Sequence, residues 1–178
     1  MLNSLLAGTP IRKTLTDTFP GTSFSSNWTL TGGVMTCNNG QLNSVSGYPN
    51  LAFTGRTWSN NHFCQVVAGS NRPNGNWPAF GVRGAELCWW GSGLNVFGNL
   101  YPYPIRNSYN YYSGAIAIND VLYMSVVGSL YTIRLNGVQI LQYTDTTSPT
   151  GGGPFIALNG NGGAQGDVCR GPWFGGNL

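Results

Sequence analysis

Glycine, asparagine or proline interrupts almost every stretch of this 178-residue chain that is long enough for three helical turns, so an amphipathic helix has little room to form. What survives between the breakers is short and strand-like. The clearest runs are Asn27–Leu30, Gly33–Cys37, Asn50–Thr54, His62–Ala68, Ala79–Val82, Leu87–Trp90, Leu94–Phe97, Gly114–Ala117, Val121–Val127, Leu130–Leu135, Val138–Tyr143 and Pro154–Leu158. A dozen short strands with frequent turn signals predict an all-β chain, folded as a two-sheet antiparallel sandwich of the jelly-roll kind or as a barrel. The length suits one domain, placed at residues 15–178, preceded by an extended N-terminal arm over residues 1–14 that has no partner-independent reason to fold.

The sharpest local signal is Tyr131 to Tyr143. Two alternating arms flank Asn136-Gly137, the pair preferred in a two-residue type I′ hairpin turn, with Tyr131, Ile133 and Leu135 on one face and Thr132 and Arg134 on the other. In Val121–Val127 both faces are apolar, which predicts a central strand. Asn71 to Trp77 and Tyr101 to Tyr112 differ in kind. Pro102 and Pro104 remove ladder donors, so the second tract is expected to be an ordered loop or an edge segment. The glycine-rich stretch from Thr150 onward, with Phe155, Trp173 and Phe174 interleaved, reads as turns laid against the core.

Composition decides which chemistries are open. Charged residues make up 7% of the chain, and the polar surface falls instead to Asn, Gly, Ser and Thr, including 20 asparagines against a single lysine, Lys13. The net charge of +3 is scattered rather than gathered into a stripe, so nucleic acid is not expected as a partner. No apolar run approaches the ~20 residues of a membrane helix, and Met1 to Pro10 makes a poor signal peptide. Cys37, Cys64, Cys88 and Cys169 lack metal-site spacing, so no metal or other cofactor is expected, and buried thiols are favoured over any of the three possible disulfide pairings.

The opening Asp17-Thr18-Phe19, then Asn27-Trp28-Thr29, Gly33 and the turn Asn38-Asn39-Gly40-Gln41-Leu42 resemble the first hairpin of the concanavalin A-like lectin and glucanase sandwiches, which include the laminin-G-like modules. Tyr131 to Val138 resembles that family's strand and asparagine-glycine turn. Gly151 to Gly176, ending Asp167-Val168-Cys169-Arg170-Gly171-Pro172-Trp173-Phe174, resembles its final strand, which pairs back with the first. The resemblance implies a jelly-roll sandwich and sugar recognition or hydrolysis. Arg56 to Ser113 matches no such pattern.

Hydrolysis of a glycosidic bond normally takes two carboxylates across it. The five acids, Asp17, Glu86, Asp120, Asp145 and Asp167, are far apart in sequence, unlike the closely spaced acids of the family's hydrolases, so no catalytic residue is nominated. Nucleophilic triads need a histidine, and the one present, His62, opens a strand and suits a structural role. Aromatics in expected loops, Trp77, Tyr101, Tyr103, Tyr109, Tyr111 and Tyr112, are the candidate carbohydrate-binding residues, since flat rings stack on sugars. They would serve equally well to pack loops or subunit contacts. The expected role is a non-catalytic structural protein of a virion or extracellular assembly, such as a phage capsid decoration or tail-associated subunit, with a lectin-like fold. Its expected partners are further protein subunits in a homo-oligomer or capsid, and glycans. The alternative is a stand-alone carbohydrate-binding module, with a glycoside hydrolase or lyase behind it.

Overall fold

The computed structural model describes residues 14–69, 77–84, 86–90, 94–98, 108–112, 116–146, 151–159 and 166–178. Among them are thirteen strands and no helix: β1 (Leu15–Asp17), β2 (Trp28–Asn38), β3 (Gln41–Phe53), β4 (His62–Ala68), β5 (Trp77–Val82), β6 (Glu86–Trp90), β7 (Leu94–Gly98), β8 (Ser108–Tyr112), β9 (Val121–Val127), β10 (Leu130–Leu135), β11 (Val138–Thr144), β12 (Phe155–Asn159) and β13 (Gly166–Asn177). They hydrogen-bond in one antiparallel path, β11-β10-β9-β4-β13-β3-β12-β5-β6-β7-β8, with β1 beside β13 and β2 beside β3. The path folds over on itself, because β5 lies against β4, β9 and β13 without pairing to any of them. Two layers result. One is β1-β13-β4-β9-β10-β11; the other runs from β3 through β12 and β5 to β8.

Strand β3 makes the corner. Its Gln41–Ser44 half pairs with β13, whereas Asn50–Ala52 pairs with β12 in the second layer. The bend falls where the β2–β3 ladder slips register, between Thr31 and Gly33 and again between Val34 and Met35. Gly47 sits opposite, at φ 72°, where an added Cβ would stand 2.8 Å from the Gly32 carbonyl oxygen. Only glycine fits that approach, and bulges of this sort let a strand change sheets.

The strongest sequence signals reappear as drawn. Strand β4 alternates buried and half-buried residues along its whole length, β9 lies between β4 and β10, and Asn136 and Gly137 have φ of 50° and 83°, as the type I′ turn requires. A second such turn, Asn39 (φ 46°) and Gly40 (φ 89°), joins β2 to β3. Two expectations are corrected. Ala117 lies in no strand, so Gly114–Ala117 is not one as drawn, and its residues 114 and 115 lie outside the described residues. Residues 166–177, expected as turns from their glycine content, form the long strand β13, which pairs with β1 through Asp17 and Trp173, as the family resemblance implied. The N-terminal arm, apart from Thr14, lies outside the described residues.

An aromatic cluster closes the core beside that first and last pair of strands. Trp28 meets Phe53 and Trp173 edge-on at centroid distances of 5.0 and 4.9 Å, and Phe53 stacks on Trp173 at 5.1 Å. Leu42, Leu51, Leu122, Met124, Tyr131 and Ile133 carry the interior onward between the layers.

Candidate functional site

The groups able to move protons come first, because they decide between binding and catalysis. His62 is fully buried; its Nδ1–H donates to the Ser59 carbonyl at 2.8 Å, and its Nε2 accepts from the Arg83 backbone N–H at 3.0 Å. Both ring nitrogens are thus committed. Burial pushes the imidazole pKa down from 6.5 to about 4, aided by the nearby Arg83 charge and opposed by the Ser59 hydrogen bond, so the ring is neutral near pH 7. Arg83 is itself buried: Nε and Nη2 donate to the Asn60 carbonyl at 3.1 and 2.8 Å, Nη2 reaches the Gly128 carbonyl, and Nη1 donates to the Tyr131 hydroxyl at 3.2 Å. Asn60 and Asn61 extend the clasp, accepting from the Gly151 and Gly128 amides. The pair locks loops together.

Asp17 and Asp120 are held in the same manner. Asp17 accepts from the Phe19 amide and from Trp28 Nε1, each at 2.7 Å, which fixes Phe19 at φ 50° and anchors the aromatic cluster. An open depression of about 500 Å³ lies beside it, lined by Pro20, Ser23, Phe24 and Asn27 among others. Asp120 accepts from the Ala117 amide at 2.7 Å and from Asn136 Nδ2 at 2.8 Å, fastening the loop before β9 to the β10–β11 turn. Asp145 is buried just beyond β11. Glu86 and Asp167 belong to β6 and β13, and their side chains lie outside the described residues. No group of three His, Cys, Asp or Glu side chains gathers into a metal site among the described residues. Cys37, Cys64 and Cys169 are buried cysteines; burial drives the Cys64 pKa up to about 12, and Trp173 Nε1 donates to its sulfur at 3.2 Å. None of the three is poised as a nucleophile.

Four of the six nominated aromatics fall on one layer. Trp77 opens β5 opposite Asn159, while Tyr109, Tyr111 and Tyr112 lie in β8, with Tyr109 opposite Val96 and Tyr112 opposite Leu94. Expected in loops, these four are strand residues, and β8 ends the hydrogen-bonded path, consistent with an edge segment. Three strand spacings separate β5 from β8, about 14 Å. Tyr101 and Tyr103 lie outside the described residues, as do the side chains of the other four.

The opposite layer carries a surface that the sequence reading did not single out. On β4 the residues alternating with the core are Phe63, Gln65 and Val67, all half-buried. Register aligns them with neighbours on other strands: Phe174 of β13, Gln65 of β4, Tyr123 of β9, Arg134 of β10 and Gln139 of β11 form one row across five strands. One rung along, Phe63, Ser125, Thr132 and Gln142 form another, and Gln142 Nε2 donates to Thr132 Oγ1 at 3.1 Å. Phe63 and Tyr123 lie nearly parallel with centroids 5.5 Å apart, and the Arg134 guanidinium stands 5.9 Å from the Tyr123 ring centre. The signal was present in the outward positions of β9 and β10. Counting back from the Gly128-Ser129 turn between β9 and β10 sets Arg134 beside Tyr123.

Together the layers, the corner strand and the pairing of first strand with last define the concanavalin A-like jelly-roll sandwich, a lectin-like fold. Solved structures share it across nearly the whole chain. The Emp47p carbohydrate recognition domain superposes with a TM-score of 0.63 at 12% identity, covering 92% of this chain and 94% of that one. The carbohydrate binding module CBM66 from Bacillus subtilis gives 0.61 at 14% identity, covering 82% and 93%. The endo-β-1,3-glucanase from Pyrococcus furiosus gives 0.61 at 12% identity, covering 92% and 93%. The fold therefore houses both sugar binders and sugar-cleaving enzymes. No family model and no curated protein sequence matches the chain.

Proposed function

We propose that this chain is a non-catalytic carbohydrate-recognition domain, displayed as a structural subunit of a virion or other extracellular assembly. The observation that supports the reading is the fate of three described ionisable groups on a lectin-like frame. His62, Asp17 and Asp120 each have both heteroatoms taken up in hydrogen bonds that hold loops or the aromatic cluster in place. His62 keeps no free ring nitrogen for a substrate proton, and the two carboxylates are tied through both oxygens to the loops and indole they hold, whereas general acid–base chemistry needs a group placed on the substrate proton. Neutral polar side chains and ring faces are what such a surface offers a sugar: amides and hydroxyls exchange hydrogen bonds with hydroxyl groups, and aromatic carbon covers the apolar face of the ring. Trp77, Tyr101, Tyr103, Tyr109, Tyr111 and Tyr112 are the proposed contacts. A surface with 7% charged residues in the whole chain also suits close packing against other subunits, because few ions must be desolvated.

The test is a glycan array probed with the intact protein and with Trp77→Ala and Tyr109→Ala, run beside a reducing-end assay on the bound polysaccharides. Binding that weakens in the variants, with no reducing ends released, is expected. Release of reducing ends that stops in Glu86→Gln would overturn the reading in favour of a hydrolase.

A further inference from the structure

We propose that the outward face of the β1-β13-β4-β9-β10-β11 layer is a second carbohydrate surface, selective for glycans that carry carboxylates, with Arg134 pairing the uronate. The inference rests on the glycan-binding reading and adds to it a separate face and a charge class.

The row Gln65, Tyr123, Arg134, Gln139 crosses four strands at consecutive ladder positions, so its side chains recur at the strand spacing and span about 14 Å. A polymer lying across the strands would meet amide, phenol, guanidinium and amide in turn. Arg134, Gln139 and Gln142 are exposed, while Phe63, Gln65, Tyr123, Thr132 and Phe174 are half-buried, which gives a floor of three aromatic rings and two polar side chains with exposed polar groups standing along it. Arg134 is already restrained, its guanidinium held against the Tyr123 ring, which Phe63 backs in turn. A cation fixed in this way loses less freedom when it takes a carboxylate in two parallel hydrogen bonds.

Charge selects the occupant. The described carboxylates lie off this face: Asp17 is turned onto Trp28, Asp120 fastens the rim loop to Asn136, and Asp145 is buried. Arg170 on β13 adds a second cation, whose Nη1 donates to Asn119 at 3.1 Å. The whole chain is positive, with eight Lys and Arg against five Asp and Glu. A second copy of the chain fits poorly by comparison. A two-fold contact would press each Arg134 onto a face with no described acid to receive it, and unpaired charge at an interface is costly.

Binding of the intact protein to polygalacturonate, to its fully methyl-esterified form and to poly-glutamate, measured by calorimetry, tests the assignment. Expected are binding to polygalacturonate, a loss of about tenfold or more on esterification or in Arg134→Gln, and partial recovery in Arg134→Lys. Arg134 is exposed, so these variants should keep the unfolding midpoint of the parent. Equal affinity for the acid and the ester, unchanged affinity in Arg134→Gln, or equal affinity for poly-glutamate would each overturn the inference. So would a dimer in sedimentation that Arg134→Glu dissociates. If Arg134→Gln is silent while Trp77→Ala still abolishes binding to an arrayed glycan, this second face fails and the first reading stands. Absence of binding to any arrayed glycan defeats both.

Discussion

At the end of the sandwich where first and last strands meet, Phe19, Trp28, Phe53 and Trp173 pack at steep and stacked angles around a carboxylate that receives the Trp28 N–H. On the outward face of the six-stranded layer, Phe63 and Tyr123 also lie ring against ring, but half-exposed and beside a guanidinium rather than a carboxylate. Residue type is nearly the same in the two places. What differs is the direction in which the remaining hydrogen-bonding capacity points. In the buried cluster the Trp28 and Trp173 N–H groups are met inside, by Asp17 and Cys64, so neither indole N–H is left to offer a ligand. On the open face the exposed Arg134 and the amides of Gln65 and Gln139 stand beside the rings. What separates the two regions is outward polar capacity beside the aromatic carbon, not aromatic richness.

Breaking the buried side of this comparison should have the largest effect. Trp173→Ala removes a fully buried side chain at the centre of the cluster and should cost about 3–5 kcal/mol, read from the urea unfolding midpoint. Next comes acid. The His62 pKa is lower in the fold than its ordinary value, so the unfolded chain binds the proton more readily between these limits. The stability that neutral His62 provides is therefore complete above about pH 6.5 and is lost as pH falls toward about 4, by at most about 3 kcal/mol. His62→Gln should be less stable at pH 7 yet lose less than the parent on going from pH 6.5 to 4, measured as the difference between the two pH profiles. Asp17→Asn keeps an acceptor for only one of the two N–H groups and should cost about 1–2 kcal/mol in thermal unfolding. On the open face, Tyr123→Ala should cost about 1 kcal/mol through the lost ring pair, and Arg134→Gln less than about 0.5 kcal/mol. A stability loss at Arg134 as large as that at Asp17 would erase the distinction between the two regions.

Much of the fold was legible because alternation and turn chemistry agree where they are strongest. Strands β4, β9 and β10 emerge with the limits read from the sequence, and Asn136-Gly137 turns as its φ preference demands. Strand β13 was obscured by its glycines. Gly171 and Gly175 are there because a Cβ would stand 2.8 Å from the Thr18 carbonyl oxygen and 2.5 Å from the Trp173 ring; they allow close approach within a strand, where a local reading takes them for turns. Strands β2 and β3 were read as shorter pieces because the bulges near Gly33 and Gly47 break the alternation without ending the ladder. That the chain holds only five acids is plain in the sequence. That Asp17 and Asp120 serve as fasteners was not, since their partners Trp28 and Asn136 lie 11 and 16 residues away. The row through Gln65, Tyr123, Arg134 and Gln139 joins four strands and becomes visible only with the register between them.

The central claim is that this sandwich holds sugars without cleaving them, and affinity electrophoresis through gels cast with neutral and acidic polysaccharides tests it most directly when each gel is also assayed for released reducing ends. The account predicts retarded migration in at least one polysaccharide gel and no reducing ends after prolonged incubation. Unretarded migration in every gel, or steady release of reducing ends, would contradict it.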